Sequence, residues 1–143
     1  MATLSLDCAW RQSDTQRLMP TERSLLILVA GPYRSNTGDD PDKIANNLHV
    51  MNEVAVELFR AGHMPITGEA IALPLIETAG SKRIGDEIFD EFFHPIGHRL
   101  IEHVDAVLRI GGPSKGADEM VAAAHAAGKP VFFSVKEVLS AES

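Results

Sequence analysis

Cysteine occurs once, as Cys8, tryptophan once, as Trp10, and tyrosine once, as Tyr33; aromatic residues make up only 6% of the chain. One thiol excludes an internal disulfide and any zinc site built on a cysteine cluster. No apolar run approaches the roughly 20 residues that cross a bilayer. Met1 to Gln16 lacks the basic-then-apolar order of a signal peptide, so the cytoplasm is the expected compartment. Positive charge is also scarce: 13 Lys and Arg stand against 20 Asp and Glu, a net charge of −7. Such a surface repels polyphosphate and anionic lipid, so neither a nucleic-acid polymer nor a membrane is an expected partner. A small anion held locally remains compatible with it.

What is present suits one globular domain. The 143 residues are 45% hydrophobic and 23% charged, enough to bury most of the apolar surface without covalent staples. Residues 1–23 lack a sustained apolar period and read as a partly ordered N-terminal arm; residues 24–143 read as a single α/β domain. The run Leu25–Ala30, bounded by Gly31-Pro32, has the continuous apolar character of a central parallel strand. Asp40-Pro41 then supplies a cap and a proline at the first helical position. Ile44, Leu48, Met51, Val54 and Leu58 form one helix face that ends near Gly62. His63–Thr67 is a second strand, and Gly68–Glu77, which contains Pro74, a loop or short helix.

A longer helix is predicted from Ile84 to His103, with Ile88, Phe92, Ile96 and Leu100 as its apolar face and Pro95 kinking or dividing it. Asp105–Ile110 is the third strand and Ala117–Ala127 an alanine-rich helix closed by Gly128. Pro130–Phe133 is the fourth strand, and Val135–Leu139 a terminal turn or two of helix. The alternation implies a flavodoxin-like or Rossmann-like open parallel sheet of four to five strands, order 2-1-3-4, with helices on both faces. The reversal point then lies between the first and third strands. Ligands in open sheets bind beside such a point, which nominates the loops Gly31–Asp39 and Gly111–Gly116.

Those loops carry usable chemistry. Ser114-Lys115-Gly116 precedes a helix, where free N–H groups, a hydroxyl, a cation and a glycine can cradle an anion; a plain serine cap explains the same residues. Neither a Walker loop nor a Gly-x-Gly-x-x-Gly fingerprint occurs. In the facing loop Tyr33 offers an aromatic face and a hydroxyl, and Arg34 a fork that matches carboxylate or phosphate.

Four segments in order resemble the nucleoside 2-deoxyribosyltransferase superfamily, which includes the nucleoside 5′-monophosphate N-glycosidases. They are Leu28–Tyr33, Val104–Leu108, Ser114–Ala117 and Gly128–Val131, within a resemblance that spans Leu25 to Phe133. The resemblance implies action on the N-glycosidic bond of a nucleoside or nucleoside 5′-monophosphate, no cofactor, and a homodimer or higher homo-oligomer. It implies that Gly31, Pro32 and Tyr33 line the sugar and base pocket, and that Ser114 and Gly116 hold the 5′ end.

The chain departs from the family at its acids. The family's carboxylate for the anomeric carbon falls at Met120, and its second acid at Gly97. Three readings follow: Glu119 serves through a shifted helix start; another acid such as Glu69, at the carboxyl edge of the sheet, reaches in; or the cleft binds a nucleotide without breaking it. Asp118 and Glu119 are equally explained by the helix N-terminus. Asp86, Asp90, His94 and His98 recur at four-residue steps and raise a weaker alternative, a metal-dependent hydrolase, although Pro95 interrupts the ladder and no metal is assigned.

Overall fold

The computed structural model describes residues 23–142; apart from Arg23, the expected N-terminal arm lies outside the described residues. The element order is β1 (Leu26–Ala30), α1 (Pro41–Arg60), β2 (Met64–Ile66), α2 (Gly68–Thr78), α3 (Glu87–Ile101), β3 (Ala106–Arg109), α4 (Lys115–Ala126), β4 (Val131–Phe132) and α5 (Val135–Glu142). The four strands form one sheet in the order β2-β1-β3-β4, and every pairing is parallel. Ile27 lies beside Ala106 and Ala30 beside Arg109, so the carboxyl ends of β1 and β3 are level. This is the expected α/β architecture with its reversal between β1 and β3.

Strand side chains alternate between two apolar layers, as the pleat requires. Leu28, Ala30 and Val107 pack with Ile101 of α3 and with Ala117, Met120 and Ala124 of α4 on one face. Ile27, Val29, Ala106 and Leu108 pack with Met51 and Leu58 of α1 and Val138 of α5 on the other. Leu58 is completely buried, a side chain whose burial is worth about 1.5–3 kcal/mol. A third cluster joins Tyr33 and Ile44 to Ala72 and Ile76 of α2 and Phe89 of α3, beside the carboxyl ends of the strands. No described helix is long and apolar enough to cross a membrane.

Local chemistry sets the element ends. Asp40 caps α1 by accepting from Asp42 N–H at 2.9 Å, with Pro41 at the first helical position. Thr67 caps α2 in the same way, accepting from Ala70 N–H at 3.1 Å.

Of the two readings for Gly68–Glu77, a loop or a short helix, the helix holds: Gly68–Thr78 is an 11-residue helix. Pro74 is tolerated inside it because it and Ala70, whose carbonyl loses a partner, are both exposed to water. The α3 helix likewise runs unbroken through Pro95, since Pro95 and Glu91 are also solvent-facing. Its most buried positions are Phe89, Gly97 and Ile101, one residue round from the predicted face of Ile88, Phe92, Ile96 and Leu100, which is only half-buried. The apolar stripe is two rows wide because α3 packs against α2 as well as against α4.

Candidate functional site

The loops after β1 and β3 are tied to each other. Gly111 adopts φ +79°, and a Cβ there would lie 2.7 Å from Cδ of Pro32, so only glycine lets the two loops meet this closely. Ser35 Oγ donates to Ser114 Oγ at 3.1 Å, and Asn36 Nδ2 donates to the Pro113 carbonyl at 3.3 Å. The buried guanidinium of Arg109 completes the frame. It donates to the carbonyls of Ile110 and Gly112, the latter at 2.9 Å, and to Asp118 in the first turn of α4 at 3.2 Å.

On the α3 and α4 side of this frame opens a cavity of about 530 Å³. The end of β1 forms its floor, and aromatic rings from the β1–α1 loop and α3 form one wall. Tyr33 and Phe93 have ring centroids 5.2 Å apart, and Phe89 stacks on Phe93 at 4.7 Å. The first turn of α4 also lines the cavity, beside His94 of α3. There Ser114 caps the helix, accepting from Ala117 N–H at 3.2 Å, while Lys115 and Gly116 hold first-turn N–H groups that no intrahelical carbonyl can reach.

Glu69 also lines this cavity, from the first turn of α2, and is nine-tenths buried. Among the described residues its carboxylate accepts only from its own backbone N–H, which lowers its pKa slightly; burial dominates and pushes it up to about 7. A helix N-terminus favours a carboxylate by only 0.3–1 kcal/mol, too little to offset such desolvation. Glu69 is close enough to Tyr33 for their charges to interact: burial first, and then Glu69, raise the phenol's pKa, while Arg34 lowers it. At neutral pH the cavity therefore contains a carboxyl group that can either give or take a proton.

The remaining polar groups are less buried. Arg34 lines the cavity, but its fork is taken by Asp39 in the same loop, Nε to Oδ1 at 2.9 Å and Nη2 to Oδ2 at 3.0 Å. Glu119 lies at the rim with its side chain 43% exposed, 4.0 Å from Nδ1 of a half-exposed His94. His94 also covers Gly116, with Cε1 at contact distance from where a Cβ would be.

A solved 2-deoxyribosyltransferase from the psychrotolerant bacterium Bacillus psychrosaccharolyticus superposes on this chain with a TM-score of 0.54 and 19% identity, covering 74% of this chain and 69% of that one. The two proteins share a fold. No family model and no curated protein matches the sequence.

The tertiary structure thus brings Gly31, Tyr33, Arg34, Glu69, Ser114, Lys115, Gly116 and Glu119 around one cavity. Pro32 is the exception: it packs on Gly111 and faces a separate hollow of about 480 Å³ beyond the loop, together with Asn36, Lys43 and Asn47. Gly97 and Met120 are both at the cavity floor and touch each other, the thioether of Met120 occupying the space a side chain at Gly97 would need.

Sequence reasoning missed Phe89, Phe93 and Asp39. The two phenylalanines lie four residues apart and in line with Gly97, a signal hidden when the neighbouring row was read as the core face. Nothing local distinguishes Asp39 from an ordinary loop acid.

Among the described residues no three His, Cys, Asp or Glu side chains converge on a metal-sized point. Asp86, a member of the predicted ladder, caps α3 instead. It accepts from Phe89 N–H at 2.9 Å, from Ser81 Oγ at 2.8 Å and from Lys82 N–H at 2.8 Å, and these bonds hold its pKa well below the usual carboxylate range.

Proposed function

We propose that this protein binds a nucleoside or nucleoside 5′-monophosphate in the 530 Å³ cavity and cleaves or transfers at its N-glycosidic bond. The observation that carries the reading is Glu69: a buried carboxyl that, among the described residues, accepts only from its own backbone N–H, lining a cavity that also holds aromatic rings and a helix N-terminus. Those three parts match the three parts of a nucleotide. The rings of Tyr33 and Phe93 offer a flat apolar surface to a base. The hydroxyl of Ser114, the first-turn N–H groups and Lys115 suit the 5′ end or its phosphate. Glu69 supplies the carboxyl that the sugar–base bond requires.

Breaking that bond builds positive charge on the anomeric carbon and negative charge on the leaving base. Protonated, Glu69 can donate to the base; ionised, it can offset the oxocarbenium charge in a dry environment. Glu119, at the wetter rim beside His94, is the second candidate acid. The shared fold with a 2-deoxyribosyltransferase fits this reading.

A second reading is a nucleotide-binding module that leaves the bond intact. It is favoured by the contact of Met120 with Gly97, which fills part of the floor with a thioether rather than a carboxylate.

Incubation with deoxynucleosides and their monophosphates, followed by chromatography for free base, separates the two. The catalytic reading expects base release that falls at least about 100-fold in Glu69→Gln, with ligand-induced thermal stabilisation retained. Stabilisation without any release supports the binding module.

A further inference from the structure

The cavity's basic lining consists of Arg34 and Lys115, together with the imidazole of His94. Arg34 is the only one of these whose hydrogen-bonding fork is already filled, by the two carboxylate oxygens of Asp39. A carboxylate presents the same pair of oxygens that a phosphate would, so Asp39 takes the place a ligand's phosphate could hold.

Arg34 also has contacts besides Asp39, in a pair whose side chains are 38% and 45% exposed. Its guanidinium lies flat against Gly85, where a Cβ would come within 2.9 Å of both terminal nitrogens, and its Cζ stands 5.6 Å from the centre of the Phe89 ring. Gly85 has φ +82°, so glycine is required there on two counts. Asp39 is in turn held by its loop: its N–H donates to Thr37 Oγ1 at 3.1 Å and its backbone is left-handed, with φ 60°.

We propose that Asp39 sets the charge of the ligand: by filling the fork of Arg34 it withholds that cation, so the cavity accepts a nucleoside carrying one phosphate and rejects its di- and triphosphates. This rests on the nucleotide reading above. With Arg34 neutralised, Lys115 and the first turn of α4 remain to meet a single phosphate. Each further phosphate adds negative charge that meets Asp39 and Glu119 instead of a free cation.

Calorimetric titration of the full chain with deoxynucleoside mono-, di- and triphosphates of each base tests this. The variants are Asp39→Asn, Arg34→Gln and the double variant. Asparagine tolerates the left-handed backbone, so Asp39→Asn removes the charge without forcing the loop to refold. The wild-type protein is expected to bind the monophosphate at least tenfold more tightly than the triphosphate. Asp39→Asn is expected to close that gap by about tenfold through tighter triphosphate binding, as a bidentate arginine–phosphate contact would supply. The double variant should lose this gain. A gap that Asp39→Asn leaves unchanged, or equal weakening of all three ligands, overturns the inference. Equal wild-type affinity for mono- and triphosphate overturns it while upholding the nucleotide reading, and no binding of any of them overturns both.

Discussion

The sulfur of Met120 lies against the α-carbon of Gly97, so that a Cβ added to Gly97 would be 2.8 Å from it. Neither residue is an acid, yet both lie on the floor of the cavity that contains the buried carboxyl of Glu69. Their contact joins α3 to α4 and shapes the space next to the candidate catalytic group.

Gly97→Ala is expected to change cavity shape more than stability. Alanine favours the helix by up to about 1 kcal/mol, while crowding of the core costs about 1–3 kcal/mol, part of which a flexible thioether relieves by moving. Met120 then shifts into the cavity, and nucleotide affinity should fall severalfold while the melting temperature moves by only a few degrees. Met120→Ala in the same chain should restore affinity. A double-mutant cycle on ligand affinity measures the coupling, which should be absent if the two side chains act independently.

Glu69 should leave a signature on stability. Its carboxyl has an unfolded value of 4.5 and a folded value raised to about 7. Between those values the folded state binds more protons than the unfolded state, so stability is full below about pH 4.5 and falls as pH rises through about 7. The loss is on the order of 3 kcal/mol at most. Urea unfolding at pH 5 and pH 8 should show this decline in the ligand-free protein, and Glu69→Gln should flatten that part of the profile. If the substitution leaves the profile unaltered, the carboxyl does not titrate in this range.

Arg109 was not singled out by any motif, yet it frames the site. Arg109→Leu strands the carbonyls of Ile110 and Gly112 and frees Asp118 from its partner. Its destabilisation should be about 2 kcal/mol by urea unfolding, the usual scale for losing a buried charged donor. Hydrogen exchange at the first-turn amides of α4 should accelerate, because the loop that leads into Ser114 loses its clamp. Lysine should recover only part of this, since it lacks the fork needed to reach three acceptors.

The strand-and-helix alternation was readable because each central strand is a short apolar run and each helix begins at a capping side chain, as at Asp40 and Ser114. The 2-1-3-4 order is the one expected of a doubly wound sheet with this alternation, and its reversal point locates both site loops. Pro95 does not divide α3, and Pro74 sits inside the short helix α2, because solvent satisfies the carbonyls they leave free. The same rotation by one residue that misplaced the buried face of α3 also hid Phe89 and Phe93.

By itself, then, the sequence determined the α/β class, the caps and the loops at the sheet's carboxyl edge, all of which depend on residues close together in the chain. Tertiary structure alone decided three matters: that Glu69 is buried and raised rather than solvated, that Arg34 is already engaged by Asp39, and that Met120 fills the space above Gly97. Each depends on what a side chain meets after packing, through desolvation, charge pairing or excluded volume, and those partners come together only when the helices close over the sheet.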